Sequence, residues 1–282
     1  MHQNKQRPVT PFRYLGSKYY LLHKILPLIP PHNIYLEPFC GSATVFFVKD
    51  LAKINVLNDI DQNIVNFFRV LQDPEKTQRL LRMLKYTPFS RAEYQKAAHI
   101  LKESGDEVEK AWGFFVMQNM AHFPSYVKDP NGKHFSVLKN GKDTVLNPYW
   151  KRIRKLLYFA EKLRRARIEN LDALEVMKIY DSEDTFMFID PPYPKDTLSP
   201  GGKYYEGDNS EDLHEKIVKF VLEAKSKIMI TTFPNHQYDR LLSYNWRRID
   251  KKKFMMISNI GLHIHRSKNS YKTESIYINY EP

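Results

Sequence analysis

The chain has 282 residues, 42% apolar and 13% aromatic, which suits one sizeable globular domain with a second, smaller one. Lysine and arginine outnumber aspartate and glutamate by 44 to 32, so the net charge of +12 favours a polyanionic partner. The single cysteine, Cys40, excludes a disulfide framework and a cysteine metal site, and we expect no metal. No apolar run reaches the roughly 18 residues of a membrane helix, so we expect a cytoplasmic protein with no membrane partner.

The first part of the chain alternates between predicted strands and helices. A helix is predicted at residues 17–29, with Ser17 as its N-cap. A strand (NIYLEPF) follows, then a helix that opens after Gly41, a strand (INVLN) and a helix (DQNIVNFFRVLQ). This order of elements predicts a parallel sheet with right-handed crossovers.

The middle of the chain has a different character. Residues 75–121 predict two or three helices, and residues 124–148 hold two Asn-Gly pairs between β-prone runs, which predicts a hairpin. From Lys128 to Arg167, 12 lysines and arginines stand against 3 acids. A solvated face is one interpretation of this charge. Interleaved aromatic residues favour nucleic-acid contact instead, and these are Tyr126, Phe135, Tyr149 and Trp150.

The alternating pattern returns towards the C-terminus. A strand (TFMFI) is followed by a helix (EDLHEKIVKFVLEA), a strand (SKIMITTF), a helix from about Gln237, and final strands that end in ESIYINY. These elements are expected to complete the sheet that the first part of the chain begins.

Acidic residues stand where four predicted strands end, one of which is a further strand predicted in RIENLDALEV (167–176). They are Glu37, the pair Asp59 and Asp61, Asp172, and Asp190. Ligands bind outside the carboxyl ends of the strands in an open parallel sheet. A single acid at such a position is usually a helix cap, and this interpretation is favoured for Asp61 and Asp172. Acids at four strand ends over one crevice favour a ligand with hydroxyl groups and positive charge.

A nucleoside cofactor fits these acids, because an acid after the second strand can accept both ribose hydroxyls. The turn FCGSA has one glycine where a dinucleotide site has three, which disfavours a nicotinamide or flavin. A cofactor with a cationic centre and no phosphate fits better, and S-adenosylmethionine is the predicted one.

The segment Asp190-Pro191-Pro192-Tyr193 follows an apolar strand and suggests a reaction. A carboxylate and a fixed carbonyl oxygen can accept both hydrogens of an exocyclic amine, which aims the nitrogen lone pair at a methyl donor. Tyr193 offers a ring on which a flipped base can stack. The alternative is a rigid strand-exit turn with Asp190 as a cap.

Four segments together resemble the Dam-like adenine-specific DNA methyltransferases of the small phage and restriction–modification type. They are FRYLGSK (12–18), EPFCG (37–41), NDID (58–61) and DPPY (190–193). The resemblance implies an α/β, Rossmann-like class I S-adenosylmethionine-dependent methyltransferase with a mostly parallel sheet. It also implies an inserted helical and hairpin target-recognition domain at 74–154, with the catalytic domain formed by 1–73 and 155–282.

The resemblance also assigns roles to residues. It implies a catalytic set of Asp190, Pro191, Pro192 and Tyr193. The implied cofactor site comprises Tyr14, Lys18, Glu37, Phe39, Gly41, Asp59, Asp172 and Asp190. The expected DNA contacts are Arg13, next to the cofactor motif, and four residues in or just before the basic segment from Lys128 to Arg167, namely Tyr126, Phe135, Lys139 and Lys142. The expected partner is double-stranded DNA in a bacterial cytoplasm or a phage-infected host, and a cognate restriction endonuclease is left open.

The sequence departs from the family at Ser42-Ala43, where a second glycine is expected nearby, and at Thr231-Thr232-Phe233, where relatives often have Ser-Gly or Ser-Asn. Other amines stay open as targets: adenine in RNA, cytosine in DNA, or glutamine in a protein. Aspartate at position 190 favours adenine over cytosine and glutamine. A non-catalytic DNA-binding protein on the same fold is a further alternative.

Overall fold

The computed structural model describes residues 10–14, 16–122, 129–136, 145–193, 211–254 and 271–282. Its centre is a seven-stranded sheet in the order β3-β2-β1-β4-β5-β7-β6. The strands are β1 (Ile34–Glu37), β2 (Ile54–Asn58), β3 (Arg167–Glu169), β4 (Thr185–Ile189), β5 (Lys227–Thr232), β6 (Arg247–Phe254) and β7 (Tyr271–Ile278).

The first five strands pair in parallel, and β7 enters antiparallel between β5 and β6. This mostly parallel sheet confirms the predicted Rossmann-like class I methyltransferase fold. The parallel crossovers bring the carboxyl ends of β1, β2, β3 and β4 to the same edge.

Both faces of the sheet are covered, which explains the continuous apolar strands. All five residues of β4 are buried. Phe186 and Phe188 join one apolar core, whereas Met187 and Ile189 join a second core. Successive side chains of a strand point to opposite faces, so an uninterrupted apolar run serves both layers.

Eleven α-helices are found among the described residues. They are α1 (Leu22–Ile25), α2 (Thr44–Val48), α3 (Gln62–Gln72), α4 (Pro74–Lys85), α5 (Arg91–Glu103), α6 (Glu107–Met120), α7 (Leu146–Arg154), α8 (Leu156–Leu163), α9 (Ala173–Tyr180), α10 (Glu211–Glu223) and α11 (His236–Asp239). Side chains that accept a backbone N–H hydrogen bond cap several of them, at Asp61, Asp73, Ser90, Asp106 and Asp172. None of the helices in these ranges is long and apolar enough to cross a membrane.

The predicted cap at Ser17 is wrong. The Ser17 side chain makes no capping hydrogen bond, and its Oγ lies 2.8 Å from Oγ1 of Thr44. The predicted single helix at 17–29 is two short 3₁₀ segments, Lys18–Leu21 and Leu26–Leu28, around α1. The second 3₁₀ segment contains Pro27, which has no N–H to continue an α-helical ladder.

The middle of the chain, α4 to α7, packs against the sheet domain through α3. Phe67 of α3 lies 5.7 Å from Phe114 and 6.1 Å from Phe115 of α6, between ring centroids. These rings belong to the same apolar core as Tyr35 and Phe186 of the sheet. The helical region therefore shares a core with the sheet, and its division from the catalytic domain at residues 74 and 154 stays a prediction.

Candidate active site

The carboxyl ends of the strands line a cleft with a cavity of about 220 Å³. Four acids contribute to its wall, at Glu37, Asp59, Asp172 and Asp190. Among the described residues of this wall, Lys18 is the one lysine, and no arginine or histidine joins it. The cleft is thus rich in carboxyl oxygens that can accept hydrogen bonds.

Gly41 forms the tight turn between β1 and α2 in a left-handed conformation, with φ of +47°. A Cβ atom at this position would lie 2.7 Å from Cε1 and 2.8 Å from Cδ1 of Tyr14. Glycine therefore meets two needs, since it adopts the positive φ without strain and lets the ring of Tyr14 lie directly on the backbone. Both residues line the cleft.

We expect Gly41→Ala to weaken cofactor binding and to lower the free energy of unfolding. The left-handed conformation alone costs a non-glycine residue about 1–2 kcal/mol, and the added methyl group must displace Tyr14. The matched control is Gly105→Ala, because a Cβ at Gly105 meets nothing within 4 Å. Isothermal titration with S-adenosylmethionine and urea unfolding measure both effects. Equal behaviour of the two variants would contradict the prediction.

Glu37 ends β1 with a buried carboxylate. Its Oε1 accepts hydrogen bonds from the hydroxyl of Tyr35, at 2.6 Å, and from the backbone N–H of Phe46, at 2.8 Å. Burial raises the pKa of Glu37 to about 7, although these two hydrogen bonds oppose the shift. The side chain is therefore held firmly between β1 and α2.

Asp59 follows β2 and accepts backbone hydrogen bonds from two loops of the cleft. Its Oδ2 accepts a hydrogen bond from the N–H of Gly41 at 2.8 Å, and its Oδ1 accepts one from the N–H of Asp61 at 3.0 Å. Burial raises the pKa of Asp59 to about 7. The neighbouring Asn58 donates to the carbonyls of Pro38 and Leu171, and so ties the ends of three strands together.

The raised pKa values of Glu37 and Asp59 predict how stability depends on pH. The folded protein holds protons on both acids up to about pH 7, whereas the unfolded chain releases them near their ordinary pKa values of 4.5 and 3.8. Their contribution to stability is therefore complete below about pH 4 and is lost as pH rises towards 7. Urea unfolding of the wild type and Asp59→Asn across this range measures it. The wild type should lose more stability than the variant, and parallel curves would contradict the assignment.

Asp190 lies at the tip of β4, where two groups hold one of its oxygens. Its Oδ1 is 2.6 Å from Nζ of Lys18 and accepts a hydrogen bond from Oγ1 of Thr231 at 2.9 Å. The side chain of Asp190 is 19% exposed, whereas that of Lys18 is 3% exposed. The carboxylate is thus oriented from the protein side and reaches the cleft, together with Pro191 and Pro192.

Tyr193 is buried, with 7% of its surface exposed. Its ring stacks on Phe233 with centroids 4.3 Å apart, and Nζ of Lys18 lies 5.0 Å from the ring centroid. The hydroxyl accepts a hydrogen bond from Lys18 and donates one to Oε1 of Glu274. The ring offers little surface to a base in this arrangement, and stacking of a flipped base on Tyr193 stays a prediction.

The two remaining predicted cofactor residues, Asp172 and Phe39, also line the cleft. Asp172 is exposed, and it caps α9 by accepting hydrogen bonds from the N–H groups of Leu174 and Glu175. Asp61 caps α3, so the capping interpretation of both acids is confirmed. Phe39 lines the cleft at the end of β1.

The predicted DNA contacts are only partly described. The guanidinium of Arg13 donates hydrogen bonds to the carbonyls of Ala121 and His122, just beyond the end of α6. Phe135 packs against the rings of Phe89 and Tyr94, at 5.4 Å and 5.8 Å between centroids. These contacts give Arg13 and Phe135 structural roles, and DNA contact by either residue stays a prediction. Three predicted contacts lie outside the described residues, namely Tyr126, Lys139 and Lys142.

Sequence reasoning missed three residues of this site, Thr231, Phe233 and Glu274. The sequence pattern marks Thr231 and Phe233 only as departures from the family, although Thr231 lies near the end of β5 and Phe233 directly follows that strand. The rule that collected the acids at strand ends could have found them. Glu274 lies on the antiparallel strand β7. The sequence pattern does not reveal which strand β7 pairs with, so it could not place Glu274 near the site.

Comparison with known proteins agrees with this geometry. A family model described as "D12 class N6 adenine-specific DNA methyltransferase" matches residues 14–257. The chain is similar to modification methylase StsI of Streptococcus sanguinis, with 25% identity over 212 residues, 70% of this chain and 30% of that protein. It is also similar to the DNA N-6-adenine-methyltransferase of Escherichia phage P1, with 24% identity over 243 residues, 81% of this chain and 31% of that protein.

The chain spans about a third of the length of these two relatives. The family match, by contrast, covers most of the chain and includes the cleft residues from Tyr14 to Asp190. The chain belongs to the D12 class of N6 adenine-specific DNA methyltransferases.

Proposed function

We propose that the chain transfers the methyl group of S-adenosylmethionine to the 6-amino group of adenine in double-stranded DNA. The observation that carries this proposal is Asp190. Its carboxylate stands at the edge of an acidic cleft, and Lys18 and Thr231 fix its orientation through one oxygen. Family membership and the relative named a DNA N-6-adenine-methyltransferase support the same reaction.

The donor set of the cleft fits S-adenosylmethionine. Hydroxyl groups and a positively charged centre match a wall with four acids, and the one lysine in the described wall is already bonded to acceptors of the protein. We assign Asp59 to the ribose hydroxyls. Tyr14, Glu37, Phe39 and Gly41 would shape the methionine end, and Asp172 would approach the adenine ring. When bound, this cofactor supplies an electrophilic methyl group.

The target nitrogen is a weak nucleophile because its lone pair is conjugated into the purine ring. We propose that the Asp190 carboxylate and the Pro191 carbonyl accept the two N–H hydrogens of the amine, which directs the lone pair towards the methyl group. Asp190 would then accept the proton that the nitrogen loses on taking the methyl group, while the methyl–sulfur bond of the cofactor would break and leave its electron pair on sulfur. The two prolines restrict the backbone that presents these oxygens.

Target recognition is proposed for residues 74–154. This region contains α4 to α7 and most of the basic segment, whose charge suits the phosphates of a duplex. The proposed DNA contacts within residues 74–154 are Tyr126, Phe135, Lys139 and Lys142. Arg13 is the proposed contact outside this region. A restriction endonuclease that acts on the same site is the further partner that the restriction–modification type suggests.

The proposal is tested by incubating the protein with labelled S-adenosylmethionine and mixed-sequence duplex DNA, single-stranded DNA or RNA. We expect N6-methyladenine in the duplex, detected by mass spectrometry of the digested product. Methylcytosine in the product would show that cytosine is the target instead of adenine. Methylation of RNA alone would show that RNA is the substrate instead of DNA. Binding of the cofactor without any transfer would favour the non-catalytic alternative.

A further inference from the structure

Glu274 is a fully buried acid on β7, and it faces the catalytic segment. β7 pairs with β5 so that Ser275 lies opposite Thr232. This register brings Glu274 to the end of β5 that carries Thr231 and Phe233. The strand thereby adds a carboxylate from the antiparallel side of the sheet to the site at the end of β4.

The contacts of Glu274 lead to the groups that the reaction uses. Its Oε1 accepts a hydrogen bond from the hydroxyl of Tyr193 at 2.9 Å and lies 3.4 Å from Nζ of Lys18. The same Nζ lies 2.6 Å from Oδ1 of Asp190 and 3.2 Å from the hydroxyl of Tyr193. Lys18 therefore stands between two carboxylates, one of which belongs to the catalytic motif.

We propose that Glu274 is a positioning residue for methyl transfer, which acts on Asp190 and Tyr193 through Lys18 and the tyrosine hydroxyl. This inference rests on the proposed function of the cleft. It goes beyond that function because it adds to the site a residue that belongs to none of the four sequence motifs.

The electrostatics explain why a second acid is useful. A lysine with Asp190 as its single counter-charge would pull that carboxylate towards itself and weaken it as a hydrogen-bond acceptor. Glu274 shares the positive charge and holds the ammonium group in place, and it also fixes the rotation of the Tyr193 hydroxyl. Hydrogen bonds to charged groups contribute more than neutral ones and fix geometry better.

The test uses Glu274→Gln, which keeps the shape of the side chain and removes its charge. A hydrogen bond to a charged group corresponds to a rate change of about 10- to 100-fold. We expect kcat to fall by this factor while the KM for S-adenosylmethionine stays within about twofold. The matched control is Glu169→Gln, because Glu169 also accepts a hydrogen bond from a tyrosine, Tyr180, at the opposite edge of the sheet. The control should retain wild-type kcat.

A double-mutant cycle separates positioning from a general structural role. Combined with Tyr193→Phe, Glu274→Gln should cost kcat clearly less than it does alone, because part of its effect passes through the lost hydroxyl. Urea unfolding of the same four proteins supplies a readout that needs no cofactor or DNA, and it should show coupling as well. An unchanged kcat in Glu274→Gln, or additive effects on kcat, would overturn the proposal. A wild type without methyl transfer would refute the proposed function instead, and the unfolding cycle would still test the contact.

Discussion

Asp190→Ala should lower kcat for methyl transfer by about 10²–10⁴-fold, the range for a positioned acid–base side chain. The substitution removes the proposed acceptor for the amine, while Lys18 keeps Glu274 and the hydroxyl of Tyr193 as partners. Asp190→Asn should retain part of the activity, since its amide oxygen still accepts one hydrogen bond. Initial rates at saturating cofactor and DNA measure the effect.

Asp184→Ala is the control for this experiment. Asp184 stands just before the other end of the same strand, where it is exposed and accepts a hydrogen bond from Asn33. This variant should keep its activity, and circular dichroism should show that both variants are folded. An active Asp190→Ala would remove Asp190 from the mechanism.

Lys18→Met should lower the free energy of unfolding by about 3–5 kcal/mol, the usual cost of removing one partner of a buried ion pair. Methionine fills a similar volume, so the loss comes from charge. It leaves Glu274, which is fully buried, without its cation, whereas Asp190 still reaches solvent. The control is Lys76→Met, which breaks an exposed pair with Glu107 and should cost less than about 1 kcal/mol.

Two further measurements identify the buried carboxylate as the cause. Adding Glu274→Gln to Lys18→Met should recover part of the lost stability, because the uncompensated charge disappears. Burial already raises the pKa of Glu274, and Lys18 opposes that shift. The deficit of Lys18→Met should therefore shrink as pH falls and Glu274 takes up a proton. A deficit that is independent of both pH and residue 274 would point to packing instead.

Much of the fold could be predicted because its strands are short, apolar and buried on both faces. The segments INVLN and TFMFI coincide with β2 and β4. Four of the predicted strand-end acids line the cleft as expected, at Glu37, Asp59, Asp172 and Asp190. Parallel topology makes this possible, because it sends every carboxyl end to the same edge whatever the lateral order of the strands.

The features that the sequence did not predict depend on contacts between residues that lie far apart in the chain. Nothing local shows that Arg13 would bind carbonyls beyond α6, or that Phe135 would pack on Phe89 and Tyr94. The sequence predicted Lys18 as a cofactor contact, whereas its partners in the structure are Asp190, Tyr193 and Glu274. The partners of a long side chain depend on the three-dimensional structure, whereas a sequence pattern gives only the spacing of residues along the chain.

The ion pair between Lys18 and Glu274 has a consequence for biosynthesis. About 250 residues separate the two partners in the sequence. At translation rates of about 5–20 residues per second, Glu274 is synthesised roughly 10–50 s after Lys18. During that interval β4 can pair with β1, but the strand that completes the pocket around the lysine does not yet exist. The contacts that join Lys18 to Asp190, Tyr193 and Glu274 are therefore among the last to be completed in the nascent chain.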